Sequence, residues 1–165
     1  FIRNAVGCME FGGCFLNKRL NRNNDGGTTR RTTDIFQLAT TVLFQNPVQN
    51  FALAPNNLKD VSPVCMDYMK TVPTTWDETC FIDGYPGKYV VLARRHGNTW
   101  YLAAVNAGKE IVKLKLDLDM FAGKTVSLYK DDKKGEPQLV TLKVKESGKV
   151  QLEILPQGGV VLVNN

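Results

Sequence analysis

The sequence predicts a mainly β chain: an antiparallel β-sandwich over the second half, preceded by a helix-bearing segment. Three observations predict it. Apolar residues recur at helical spacing up to Pro73 and alternate at strand spacing after it. The alternating half divides into about eight short runs separated by Gly, Pro, Asn and Asp, the pattern of a sandwich or barrel. The first half carries only two helical stripes, each with its own start and stop signals.

Taken in order, residues 1–7 (FIRNAVG) are short, apolar and bounded by Gly, which predicts a buried strand. Residues 8–27 are rich in Gly and Asn without periodicity and predict a long loop, a feature that is usually functional or mobile. The clearest helix follows. Thr33 or Thr32 caps it, and Ile35, Leu38, Ala39, Val42 and Leu43 form one apolar stripe. Gln37 lies near the position of a capping-box partner, and Asn46-Pro47 ends the helix. A second, shorter helix starts at Ser62-Pro63, where Ser caps and Pro occupies the first helical position. Cys65, Met66 and Met69 are its expected inner face, and Val72-Pro73 stops it.

Beyond Pro73 the period is two. Tyr89, Val91 and Ala93 alternate with Val90, Leu92 and Arg94, and His96-Gly97-Asn98 turns the chain into Trp100, Leu102 and Ala104, a predicted hairpin. Val112, Leu114, Leu116 and Leu118 alternate with Lys113, Lys115, Asp117 and Asp119, as a sheet with one solvated face requires. Val126 and Leu128 begin a further strand, and residues 131–137 form a charged turn. Val140, Leu142 and Val144 repeat the alternation. Ser147-Gly148 leads into Val150, Leu152 and Ile154, and Gln157-Gly158-Gly159 leads into residues 160–163.

The net charge of +5 is mild, and the basic residues form neither a block nor a stripe interleaved with aromatics, so nucleic acid is not an expected partner. No run of apolar residues reaches the length of a membrane span. Cys8, Cys14, Cys65 and Cys80 form no CxxC pair and His96 is the only histidine, which argues against a structural zinc site. They read as packed free thiols, with a disulfide between two of them left open. No other metal site is predicted in the chain. One strand and two helices leave an apolar helix face unmatched, and layered folds bury such a face against a sheet. The expectation is that upstream residues supply that sheet. The opening without Met or signal peptide fits a helix-bearing end of one domain followed by a β-domain.

Residues 30–51 (RRTTDIFQLATTVLFQNPVQNF) and 72–95 (VPTTWDETCFIDGYPGKYVVLARR) together resemble glycoside hydrolase family 97, which contains α-glucosidases and α-galactosidases. The opening FIRNAVGCMEF is similar to the last barrel strand of that family, and the ending Gly-Gly-Val-Val-Leu to its tail. The resemblance covers essentially the whole chain. It implies an enzyme with an N-terminal domain, a central (β/α)8 barrel and a C-terminal β-domain. Residues 1–73 would then be the end of the barrel, with its last strand and helices, and residues 74–165 the C-terminal antiparallel sandwich. It implies hydrolysis of terminal α-linked sugars of an oligosaccharide by two carboxyl groups, with a calcium ion near them. It also implies a periplasmic or secreted location. By the resemblance the catalytic carboxyls and calcium ligands precede Phe1, so this chain alone is expected to be inactive and to pack on the upstream barrel and N-terminal domain. Where the family has Pro-Met-Asp-Tyr-Thr-Pro, this chain has Cys8-Met9-Glu10-Phe11-Gly12-Gly13.

Among individual residues, Glu10 follows the expected barrel strand and could approach substrate, or pair with Arg3, Arg19 or Arg22. Trp76 and Tyr85 could stack on sugar rings, or be buried between the barrel part and the sandwich. Asp34 is explained by the helix dipole. Asp77 and Glu78 are adjacent and are expected on opposite sides of a strand, which rules them out as a catalytic pair. His96 reads as a solvated turn residue, and Lys113, Lys115, Lys143 and Lys145 as outward charges that oppose edge pairing. The alternative function is a carbohydrate-binding or interaction β-module.

Overall fold

The computed structural model describes residues 8, 14–19, 26–53 and 55–164. Residues 1–7, the expected first strand, lie outside them. A two-residue strand β1 (Cys14–Phe15) pairs in parallel with β2 (Phe51–Ala52). Between them runs helix α1 (Asp34–Leu43). Thr33 caps it by accepting from the Phe36 N–H at 3.1 Å, and the Gln37 amide donates to Thr32 Oγ1 at 2.9 Å. The helix stops at Phe44, before Asn46-Pro47, because Phe44 is already extended. Helix α2 (Pro63–Met69) has Ser62 as its cap and Pro at its start, as the sequence predicts. Its fully buried face is Cys65 and Tyr68, with Met66 and Met69 only half covered, so Tyr68 is the inner residue that the apolar pattern missed.

Eight strands follow: β3 (Glu78–Tyr85), β4 (Tyr89–His96), β5 (Thr99–Asn106), β6 (Val112–Asp117), β7 (Thr125–Asp131), β8 (Pro137–Lys143), β9 (Lys149–Ile154) and β10 (Gly159–Asn164). Six form an antiparallel sheet in the order β3-β4-β5-β10-β7-β8, and β6 pairs with β9 in a second layer. The β4–β5 hairpin turns at Gly97-Asn98, where Gly97 takes φ +57°, a conformation open to glycine. Lys113 lies opposite Glu153 and Asp117 opposite Lys149 on the outer face of the small sheet, while Leu114, Leu116, Val150 and Leu152 point inward. The open edge of β3 carries a bulge between Phe81 and Asp83, a device that discourages further pairing.

The sheet is covered on both faces, giving two cores. Val91, Ala93, Leu102, Ala104, Val160 and Leu162 meet the β6–β9 layer. Leu92, Tyr101, Ala103, Val105 and Val161 meet α1 and α2. The expectation that α1 needs an upstream sheet is therefore wrong. Ile35, Leu38, Ala39, Val42 and Leu43 are buried against the sheet of this same chain. The central strands carry apolar side chains in both directions, so they had a second face to offer.

Candidate functional site

The joint between α1 and the sheet is held by hydrogen bonds at both ends of the helix. At the start of the helix, Thr33 Oγ1 donates to Asp131 Oδ2 at 2.9 Å, and the Gly159 N–H donates to the same oxygen at 3.1 Å. The Thr33 N–H donates to the Gln157 carbonyl at 3.0 Å. Gln157 is held at φ +56°, and its side chain donates to the Ala107 carbonyl at 2.8 Å, so neighbours on two sides fix a conformation that L residues rarely adopt. Burial pushes the Asp131 carboxyl up to about 6, against the lowering effect of its two hydrogen bonds. Asp34 beside it is ion-paired to Arg30.

At the far end of the helix, Arg94 on β4 is completely buried and donates through Nη2 to the Leu43 carbonyl at 3.2 Å. Helix C-termini carry unpaired carbonyls and partial negative charge, which a guanidinium satisfies. Burial pulls this guanidinium down to about 10, so it stays charged at neutral pH. The alternation placed Arg94 correctly on the Leu92 face, but gave no sign that this face was covered. A fully buried amide, Asn106, closes the other core. Its Nδ2 donates to the carbonyls of Glu110 at 2.7 Å, Leu155 at 3.1 Å and Ile154 at 3.3 Å, and its Oδ1 accepts from the Gly108 N–H at 2.8 Å.

The candidates read from sequence do not converge. Glu10 lies outside the described residues. Trp76 packs edge-on against Tyr101 with ring centres 5.3 Å apart, and its Nε1 is buried. Tyr85 is 61% exposed, with the Lys88 ammonium 4.8 Å from its ring centre. The two aromatics stand at opposite ends of β3, whose eight residues span roughly 25 Å at about 3.3 Å each, so they cannot grip one sugar ring. Asp77 and Glu78 do not point apart as expected. Asp77 precedes the strand, and both reach Arg95, at 3.6 and 3.2 Å. His96 is exposed, with Nδ1 2.9 Å from the Thr75 carbonyl. Cys8 and Cys80 are free thiols, and Cys65 is buried in the helical core.

The family model described as "Glycosyl-hydrolase 97 C-terminal, oligomerisation" matches residues 75–163, more than half of the chain. This chain belongs to glycoside hydrolase family 97. The family 97 chain is 84% identical to a crystallised beta-arabinopyranosidase, covering 98% of this chain and 26% of that one with a TM-score of 0.95. It is 28% identical to a family 97 enzyme of Pseudoalteromonas sp. strain K8 solved with acarbose, over 96% of this chain and 26% of that one, with a TM-score of 0.79. Over 110 residues it is 32% identical to a probable retaining α-galactosidase of Streptomyces bingchenggensis, 66% of this chain and 16% of that protein. The chain thus spans about a sixth to a quarter of the length of these relatives.

Family 97 chemistry needs two carboxyls facing each other across a sugar-sized cleft. Asp131, its carboxyl pushed up to about 6, is half-buried in the helix–sheet joint with Oδ2 already bonded. Asp34 is neutralised by Arg30. Among the described residues no three His, Cys, Asp or Glu side chains gather to hold a metal. No helix among them is long and apolar enough to cross a membrane.

Proposed function

We propose that the whole protein is a periplasmic or secreted glycoside hydrolase that removes terminal galacto-configured pyranosides, acting from a barrel that precedes this chain. The observation that carries the reading is the 84% identity to a beta-arabinopyranosidase over nearly the whole chain. The α-galactosidase relative agrees with it in stereochemistry. A β-L-arabinopyranoside has the ring configuration of an α-D-galactoside and lacks only the hydroxymethyl group. In this reading residues 1–73 belong to the end of the barrel and residues 74–165 to the C-terminal domain. The catalytic carboxyls and calcium ligands come from upstream, and the chain alone is inactive. Its role is to present a rigid platform, with α1 clamped at both ends, on which the barrel rests. Nitrophenol release from nitrophenyl α-D-galactoside and β-L-arabinopyranoside tests this. Full-length protein should cleave at least one of them and the 165-residue chain neither. Turnover by the isolated chain, or a full-length protein active only on gluco-configured substrates, refutes it.

A second role, assembly, is favoured by two observations. The family description names oligomerisation. The outer strand β8, at the edge of the six-stranded sheet, leaves Leu139 48% and Val140 37% exposed. Exposed apolar residues on an edge strand are a template for pairing. Sedimentation of the chain should show an oligomer that Val140→Lys dissociates; an unchanged mass for that variant removes β8 from the interface.

A further inference from the structure

We propose that the cleft between α2 and the helix-side face of the sheet is an accessory binding site for a neutral pyranose. The choice of a sugar rests on the glycosidase reading above. The cleft has a volume of about 380 Å³, at the small end of ligand pockets, and suits a sugar ring rather than a long chain. Tyr101, Tyr129 and Val163 line it from the sheet, Asp67 and Thr71 from α2 and the turn after it, and Asn164 from the end of β10.

The aromatic residues are held in place before any ligand arrives. Tyr129 meets Tyr68 edge-on at 5.0 Å between ring centres, and Tyr101 meets Trp76 at 5.3 Å. Tyr68 is anchored in turn, its hydroxyl 3.0 Å from Thr41 Oγ1. Such preorganisation lowers the entropic cost of binding. The polar groups are of mixed kind. Asn164 Oδ1 accepts from the Trp100 N–H, which fixes the end of β10 against β5 at the cleft's edge. Asp67 supplies a carboxylate at the rim, and Lys70 holds it at 2.7 Å. Burial raises both phenols, Tyr129 further through Asp67 and Tyr101 through Tyr129, so both remain neutral donors at physiological pH.

Donors, one acceptor carboxylate and flat apolar rings in one small cleft match a molecule whose hydroxyls both donate and accept and whose ring C–H faces are apolar. A phosphate or carboxylate ligand would need cationic groups, and Lys70 is already engaged by Asp67. The groove lined by Phe36, Phe44, Val90 and Leu92 is almost wholly apolar and offers a sugar nothing.

The test is titration of methyl α-D-galactoside and methyl β-L-arabinopyranoside into the ¹⁵N-labelled 165-residue chain. Saturable amide shifts at Thr71, Tyr101, Tyr129 and Asn164 are expected, with Kd on the order of 1–10 mM. Tyr129→Phe keeps the ring contact and should weaken binding about fivefold, the value of one neutral hydrogen bond. Asp67→Asn should weaken it to a similar extent. No saturable shift, shifts confined to Tyr85, or Tyr129→Phe binding as tightly as the parent overturns the site. If full-length protein cleaves galactosides while the chain binds none, the cleft inference fails alone. Saturation by a methyl glucoside but by neither galacto-configured sugar likewise overturns the site as one matched to the proposed substrate, while the cleavage assay alone decides the substrate class.

Discussion

Gly159→Ala is the sharpest test of how the helices belong to this fold. A Cβ at Gly159 would lie 2.8 Å from Phe36 Cα and 2.9 Å from both the Ile35 carbonyl oxygen and the Phe36 nitrogen. All three are backbone atoms of α1, so no side chain can swing aside. The helix must retreat from β10 by roughly 0.5–1 Å, which forfeits a quarter to a half of each contact it makes there. Ile35, Leu38, Ala39, Val42 and Leu43 are all buried at that interface. Four large side chains contributing about 1.5–3 kcal/mol each on burial stand to lose about 1.5–6 kcal/mol in this way, and since overpacked cores relax to losses of about 1–3 kcal/mol, a loss of about 2–3 kcal/mol is expected. Urea denaturation followed by tryptophan fluorescence and by far-ultraviolet circular dichroism measures it. The two signals should move together to a lower midpoint with unchanged m-value, and Tm should fall by roughly 5–10 °C for a chain of this size. A change below about 0.5 kcal/mol, as at an ordinary surface site, would mean that α1 does not rest on Gly159 and would refute the packing argument.

Three further outcomes follow from the same two cores. The Asp131 carboxyl titrates at about 6 in the fold against 3.8 in the unfolded chain, so its contribution is fully present below 3.8 and is lost as pH rises through about 6. Stability should therefore fall with rising pH across that window, by up to about 3 kcal/mol, and Asp131→Asn should flatten the profile of urea midpoints. Arg94→Ala removes the donor to the Leu43 carbonyl and opens a cavity under β4; a loss of about 2–4 kcal/mol is expected by chemical denaturation. Asn106→Leu takes their Asn106 partner from the Gly108 N–H and the Glu110 carbonyl, while the Leu155 carbonyl keeps the Gly158 N–H; this should cost about 2–3 kcal/mol and speed hydrogen exchange at Gly108.

Much of the architecture could be read from sequence where one local rule sufficed. Thr33 and Ser62-Pro63 announce their helices through capping chemistry, Gly97-Asn98 announces its hairpin, and the Lys and Leu alternation of β6 states which face is wet. The extent of strand β3 has no sequence signal, because an edge strand with a bulge and residues such as Thr79, Asp83 and Gly84 has no alternation to detect. Tyr68 gives no local signal of its burial, because the Thr41 hydroxyl that satisfies its own lies on the other helix. Asp131 read as the start of a charged turn. Its burial depends on Thr33 and Gly159, which are distant from it in sequence, and no local pattern reports such a meeting. Of the residues expected near sugar, Glu10 lies outside the described residues, and Trp76 and Tyr85 lie apart along β3. The tyrosines that line the cleft come from three separate elements, so only the fold brings them together.

The helix thought to be orphaned had its partner in plain view. Residues 90–93 (VVLA), 101–105 (YLAAV) and 159–163 (GVVLV) are continuous apolar runs, unlike the alternating β6 and β9. A strand with apolar residues in both directions is buried on both faces, and the β6–β9 layer can cover only one. The second cover has to come from somewhere, and an amphipathic helix earlier in the same chain is the simplest source. Pro73 therefore marks a change in secondary structure and not a break between cores. The family match begins at residue 75, yet Leu92, Tyr101, Ala103, Val105 and Val161 would face water if α1 and α2 were taken away. The helices form an outer layer on the sheet, with Phe36 and Phe44 only half covered at its margin. A layer fixed in this way, by Asp131 at one end and Arg94 at the other, is held against sliding over the sheet.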